Sequence, residues 1–431
     1  MASILPFRGW RFDPARVPAL SQAVTQPYDK ITPALEERYL AASPHNIVRV
    51  ILPRKQADDT FDRNAYTRAD ATLFQWMKDG TLSRDETPSI YPYYQSYKTP
   101  DGKALTRRAF IAAGVLEPFG QGVRAHEKTL AGPKADRLSL IRALGASCEL
   151  IFMLYDDPKG EVNRLLDAMV AGQDPREATD EDGNAHRLWA VNQEGGIRTL
   201  QEMMRPTYCL IADGHHRYET ALNYQKELRE RGQPCAGPET YDAVPVAYVA
   251  LQDPGLTILP THRAVHSVQG FDPNRLMARL GKDFSVTPLR GTGGKACVEA
   301  TGRWTFAVAF ANGQGYRLKL KRDDPEGAIP GEHSPDWKRC DAAVLHSLIL
   351  EPHLGIGAKE MENESHLHYH RDPEEAFQTL RNGKSQAVFF VPPTPIADVM
   401  RVSARGERMP QKSTDFYPKL LSGLVVYKIA F

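Results

Sequence analysis

The stretch from Thr207 to Ala221 constrains this chain more than any other. An apolar run over 208–211 passes through Ala212-Asp213-Gly214 and enters a helical pattern with almost no connecting loop. Glycine permits so sharp a turn because it reaches backbone angles closed to other residues. The fold must therefore hold a strand that becomes a helix at this point.

The rest of the chain repeats the alternation. Short runs rich in β-branched and aromatic residues, at 46–52, 208–211, 244–251, 304–310, 387–391 and 424–429, read as strands. Helical patterns fall at 66–78, 218–229, 274–280, 340–350 and 373–380. In 340–350 the residues Val344, Leu345, Leu348 and Ile349 make one apolar stripe. Asp180-Glu181-Asp182-Gly183-Asn184 reads as a turn between strands, and 323–335, with its prolines and glycines, as a surface loop. No strict βαβ rhythm appears, so the expectation is a mixed α+β fold with interleaved helices rather than a doubly wound sheet. At 431 residues the chain has room for two or three domains. A fresh helix–strand series opens at Phe271, which predicts an N-terminal region 1–269 and a C-terminal region 270–431.

Composition bounds the partners. Basic and acidic residues number 54 and 53, so net charge gives no reason to expect nucleic acid or an anionic membrane. No apolar run approaches the roughly 18 residues of a spanning helix, and the N-terminus lacks the apolar core of a signal peptide. The expected location is cytoplasmic. The cysteines, 148, 209, 235, 297 and 340, form no C-x-x-C pair and are expected reduced and mostly buried.

Chemistry concentrates at Asp213-Gly214-His215-His216-Arg217. At a helix N-terminus the backbone N–H groups and the dipole favour an anion, and arginine offers a bidentate fork to phosphate. The competing reading makes Asp213 a simple cap and leaves the histidines in solvent. Adjacent histidines on a helix point in different directions, which argues against both binding one ion. A second cluster, His126-Glu127-Lys128-Thr129 with Gly132-Pro133-Lys134-Ala135-Asp136-Arg137, sets an acid among cations. Glu127 is a candidate general base, and Lys128, Lys134 and Arg137 are candidate counter-charges to phosphate. A charged surface loop is the alternative, and the P-loop spacing is absent.

Weaker signals are Pro27-Tyr28-Asp29, the pair His262-Arg263 ending Leu259-Pro260-Thr261, and Met409-Pro410-Gln411-Lys412-Ser413-Thr414. His366, His368 and His370 alternate, so in a strand they would share one side, as metal ligands do; the alternative is a solvent-exposed stretch.

Six of these blocks occur together and in order: 27–29, 126–129, 132–137, 212–217, 259–263, and 409–414 with Phe416-Tyr417-Pro418-Lys419. In this the chain resembles the bacterial and archaeal family called domain of unknown function 1015, over nearly its whole length. The Asp-Gly-His-His-Arg core resembles the phosphate-binding signature of the ParB/sulfiredoxin-like fold, shared by CTP-hydrolysing partition proteins, sulfiredoxins and free L-serine kinases. The resemblance implies a ParB/sulfiredoxin-like core and a small-molecule phosphotransferase using ATP or ADP with magnesium, free serine being the leading acceptor.

Under the resemblance Asp213, Gly214, His215, His216 and Arg217 would hold nucleotide phosphates, with Asp213 on magnesium. His126, Glu127, Asp213 and His216 would do the chemistry, Glu127 as base. Lys128, Lys134, Arg137, His262 and Arg263 would neutralise transferred charge, and Lys134 and Arg137 are expected beside the Asp213 turn with Glu127. Sulfiredoxin needs a cysteine before its His-Arg pair, and this chain has none there. Lys30 stands where an aliphatic residue is expected, and 366–370 is unusually rich in histidine.

Three readings follow. The first is a phosphotransferase acting on a small hydroxylated metabolite, running as a serine kinase or, in reverse or with water as acceptor, as a phosphoserine phosphatase. The second is a ParB-like nucleotide-binding switch, against which stand the balanced charge and the lack of a helix-turn-helix segment. The third is a metal-dependent hydrolase built on the C-terminal histidines. Partners under the first are nucleotide and small-molecule substrate, with no membrane, no nucleic acid, and a homodimer compatible with the sequence.

Overall fold

The computed structural model describes residues 2–128, 131–235, 239–289 and 293–430. Thr129 of the second motif block lies outside them. The chain divides into two compact units, one of Met1–Ala125, Thr129–Leu256 and Pro418–Phe431, the other of His126–Lys128 and Thr257–Tyr417. The division falls after Leu256, not at the expected 269/270. Residues 262–265 look like the end of an N-terminal series in sequence, but they are an inner strand of the second unit's sheet.

In the first unit, nine strands form one mixed sheet among the described residues. Its order runs Val123–Arg124, Cys209–Asp213, Ile151–Tyr155, Ala243–Ala250, Ala104–Val115, Tyr91–Lys98, Ala185–Leu188 and Arg176–Thr179, with Ile4–Leu5 added beside Ala104–Val115. Cys209–Asp213 pairs parallel with Val123–Arg124 and antiparallel with Ile151–Tyr155. Central strands such as Ala243–Ala250 are buried throughout, so they read as continuous apolar runs. Residues 180–184 turn the hairpin between Arg176–Thr179 and Ala185–Leu188, as their composition predicts. The helices Glu161–Val170 and Glu194–Met204 bury Leu166 and Leu200 in the same core as Ile151, Ile211, Tyr218 and Val246.

The second unit has a six-stranded antiparallel sheet in the order Phe284–Pro288, Gly315–Leu320, Thr305–Phe310, Ala387–Phe390, His262–Val265 and Leu367–His370. Helix Pro373–Arg381 covers the face bearing Ala264, Val388 and Phe390 with Ala376, Phe377 and Leu380. The mixed α+β architecture expected from the sequence is present.

Two local expectations fail for physical reasons. Residues 46–52 form the short helix Val48–Ile51, not a strand. Asn46 accepts from the Val48 N–H at 2.9 Å and donates to the Gln22 carbonyl at 2.8 Å, so tertiary contacts override the β-branched preference. The 340–350 stripe is helical, but it widens into a π-helical turn over His346–Leu350. No helix among the described residues is long and apolar enough to cross a membrane.

Candidate functional site

The strand Cys209–Asp213 does not run cleanly to its end. Ile211 pairs with Met153 and Asp213 with Phe152, so Ala212 is an extra residue in the ladder. Such a bulge bends a strand and re-aims the side chain that follows, here Asp213. Gly214 then takes a φ of +90°, and helix His215–Glu230 begins. A Cβ on Gly214 would stand 3.1–3.2 Å from the Arg217 guanidinium. The turn therefore favours glycine, and any Cβ here would push the Arg217 guanidinium aside by a few tenths of an ångström.

Asp213 is held from two sides. Arg217 Nη2 donates to its Oδ1 at 3.3 Å, and Lys419 Nζ to its Oδ2 at 2.9 Å. Burial alone would push this carboxyl up, but the Lys419 and Arg217 charges outweigh it and hold the group well below the usual carboxylate range. Arg217 also donates to the Leu150 carbonyl. Burial works against its charge, and Glu149, Asp213 and Asp29 more than compensate. Lys419 is fixed through its own backbone, whose carbonyl accepts from Gln95 Nε2 at 2.9 Å. Arg107, wholly buried, donates to Gln95 Oε1 at 3.0 Å and to the Pro418 carbonyl. Its guanidinium lies 4.7 Å from the Phe152 ring centre, and burial brings its pKa down to about 10.

Glu149 extends the network. It accepts from the Tyr28 backbone N–H at 3.2 Å and from Arg137 at 3.3 Å. Arg137 also donates to the Ile51 carbonyl at 2.7 Å, binds Asp136 at 2.6 Å, and stacks 4.2 Å over the Tyr28 ring. A cavity of about 50 Å³ lies between Arg137, Glu149, Arg217 and Thr220, with aliphatic side chains behind. The Thr220 hydroxyl is buried there without a hydrogen-bond partner among the described residues. The space suits a few waters and is far too small for a nucleotide.

Of the expected residues, Asp213, Gly214, His215, His216, Arg217, Lys134 and Arg137 all belong to the first unit. His215 is buried at the first position of the helix, and His216 is half-buried beside it. Lys134 does not reach the Asp213 carboxylate; it pairs with Glu219 on the same helix at 2.9 Å. His126, Glu127 and Lys128 belong to the second unit. There His126 is buried with Nε2 2.9 Å from Thr414 Oγ1, Glu127 is half-buried and acts electrostatically on the Tyr369 phenol, and Lys128 is exposed.

His262 and Arg263 also lie in the second unit, and both are buried. Burial holds His262 neutral, its pKa brought down to about 3, and its Nδ1 accepts from the Val391 N–H. Burial likewise brings Arg263 down to about 10; it donates to the Thr261 and Lys412 carbonyls and meets no carboxylate among the described residues.

Lys419, Glu149, Arg107 and Gln95 were not singled out as site residues by sequence. Lys419 had a signal, since it closes the motif Phe416-Tyr417-Pro418-Lys419. Glu149, lying in an ordinary apolar run, had none. Magnesium does not fit at Asp213 in this arrangement, because both carboxylate oxygens already accept from cations that would repel it. Among the described residues no group of three or more His, Cys, Asp or Glu side chains is placed to hold a metal ion, so the C-terminal histidines supply no such set.

A cationic strand-to-helix turn on a mixed α+β sheet is thus the kind of site this chain carries. The model of the family described as "Protein of unknown function (DUF1015)" matches residues 4–343, and the chain belongs to that family. No curated protein matches it. Among solved structures it is similar to a conserved hypothetical protein from Pyrococcus furiosus at 15% identity and TM-score 0.32, covering 68% of this chain and 87% of that one. A free serine kinase in complex with AMP matches at 17% identity and TM-score 0.32, covering 68% of this chain and 83% of that one. C-terminally truncated SbnI from Staphylococcus aureus matches at 11% identity and TM-score 0.35, covering 73% of this chain and 86% of that one.

Proposed function

We propose that the Asp213–Arg217 turn binds the phosphates of ATP or ADP, and that the protein transfers phosphate between that nucleotide and a small hydroxylated metabolite. Free L-serine is the leading acceptor, by the resemblance of the Asp-Gly-His-His-Arg core to the fold group that includes free L-serine kinases; the alternatives are the reverse transfer from phosphoserine to the nucleotide and, with water as acceptor, phosphoserine hydrolysis. The supporting observation is the double clamp on Asp213, which fixes Arg217 and Lys419 at the start of a 16-residue helix whose N-cap glycine offers no side-chain cap. Phosphoryl transfer asks mainly for positioned positive charge, and a pre-paired arginine and lysine lose little freedom when phosphate arrives.

On this reading the first unit holds a ParB/sulfiredoxin-like core, the protein works in the cytoplasm, and a homodimer is the assembly to test for. His215 and His216 bind phosphate oxygens beside Gly214. Lys134 and Arg137 anchor the surrounding helix and loop: Lys134 through Glu219, Arg137 through Glu149 and Tyr28. His126, Lys128, His262 and Arg263 carry no assigned step. Glu127, the base expected from its chemistry and from the resemblance, belongs to the second unit and likewise carries no assigned step at the Asp213 turn. Magnesium would accompany the nucleotide, and no step is routed through it.

Phosphorus NMR with magnesium, ATP or ADP, and a pool of hydroxylated metabolites including L-serine tests the reading. The expected result is a new phosphomonoester signal, absent with Arg217→Ala whose fold is verified by circular dichroism. Nucleotide binding without any phosphoester product would overturn the transferase and favour a switch.

A further inference from the structure

The register of the second unit's sheet has an unusual consequence. His262 pairs with His370 and Ala264 with His368, and the His266 N–H continues the ladder by donating to the His366 carbonyl. Directly opposed residues share a face. His262, His266, His366, His368 and His370 therefore all project to the side covered by helix Pro373–Arg381.

Beyond the covered part, a groove of about 720 Å³ opens, lined by His266, His368, His370, Glu375, Lys384 and Ser385 among others. Its size is that of a small-molecule site. Every lining residue is polar or glycine, which favours a polar ligand. Three atoms of these residues, Nε2 of His266, Nε2 of His370 and Oγ of Ser385, are buried just beneath the groove and have no hydrogen-bond partner among the described residues. Buried polar atoms left so are costly unless something completes them.

The charges select the ligand. The His266 and His368 rings stack at 4.2 Å and 20°, so two imidazolium ions there would repel unless a multiply charged anion sat beside them. Lys384 adds a fixed cation, and Glu375, 3.6 Å from His370 Nδ1, is the one acid among the lining residues. The helix also points its C-terminal carbonyls this way, but those of Gln378, Thr379 and Leu380 already accept from the amides of Asn382, Lys384 and Gly383.

We propose that this groove binds a phosphate group, either free phosphate or a small phosphate monoester, between the stacked histidines, His370, Ser385 and Lys384. A phosphate monoester brings close to two negative charges and three acceptor oxygens, which suit the unpartnered polar atoms, the stacked histidine pair and Lys384. The site is built wholly from the second unit and is independent of the Asp213 turn, so it stands or falls apart from the function proposed above.

The test is a titration of the whole protein with inorganic phosphate and, separately, glycerol 3-phosphate, followed by the imidazole nitrogen resonances. The expected result is saturable movement of His266, His368 and His370 toward the imidazolium position. Affinity should rise as pH falls from 8 to 6, with His262, His366, Glu374, Glu375, Asp372 and Lys384 as the other charged or titratable groups around the face. His368→Gln and Lys384→Ala, both at exposed side chains, should each weaken binding about tenfold. Tighter binding of the glycerol ester identifies an ester site, and equal binding a site for the free ion. Unmoved histidines at millimolar phosphate, binding unchanged in both variants, or displacement of phosphate by zinc held on the same rings would overturn the proposal.

Discussion

The first unit's Asp213 cluster and the second unit's Arg263 region treat buried charge in opposite ways. Around Asp213 the carboxylate has a cation on each oxygen, and the outer guanidinium of Arg137 is paired with Glu149 and Asp136. Among the described residues the Arg263 guanidinium meets only carbonyls and the face of Tyr369 at 5.7 Å, its Nε has no partner, and neutral His346 nearby has neither ring nitrogen bonded. The comparison teaches that burial and pairing are separate properties. A paired cluster is rigid and its loss is expensive, whereas an unpaired buried cation already bears its desolvation cost.

The comparison can be broken most forcefully at Asp213. Asp213→Ala leaves Lys419 and Arg217 facing each other without the carboxylate, and the expected loss is about 3 kcal/mol in urea unfolding. A loss below about 1 kcal/mol would mean that solvent already screens the cluster.

The pH response separates the two regions next. His262 titrates near 6.5 when unfolded and about 3 when folded, so the unfolded chain takes up a proton that the folded chain refuses. Stability is full above pH 6.5 and falls as pH drops toward 3, by about 2 kcal/mol at pH 5. Asp213 keeps its folded-state charge far lower, so its contribution holds until pH falls below the unfolded carboxylate's value near 4. Urea midpoints at pH 7 and 5 should therefore differ for the native protein, and the difference should shrink for His262→Phe, with buried His346 supplying part of what remains; an unchanged difference would remove His262 as a cause.

The smallest effect sharpens the contrast. Arg263→Met replaces an uncompensated buried cation with an apolar chain of similar length, and stability should stay level or rise by about 1 kcal/mol. A clear loss would show that its two carbonyl contacts matter more than its charge costs.

The switch at Asp213–Gly214 was legible because one glycine, an apolar run before it and a helical run after it leave few alternatives. The bulge at Ala212 was not, since a register slip depends on the neighbouring strand. Residues 46–52 misled because β-branched side chains suit a strand, and only the distant carbonyls of Gln22 and Val24 explain the helix. The cationic role of Arg217 was readable in place; that of Lys419 depended on a contact 206 residues away in sequence. His262 and Arg263 look alike in sequence to any exposed ligand pair, and only their burial distinguishes them.

That separation between Asp213 and Lys419 also has a history in time. A ribosome adding roughly 5–20 residues per second makes Asp213 about 10–40 seconds before Lys419. For that interval the strand-to-helix turn exists without its second clamp, while residues Thr257–Tyr417, nearly all of the second unit, are being made. The nascent chain thus carries a half-neutralised carboxylate through the making of its neighbour, and the first unit is completed by a segment that emerges after the second.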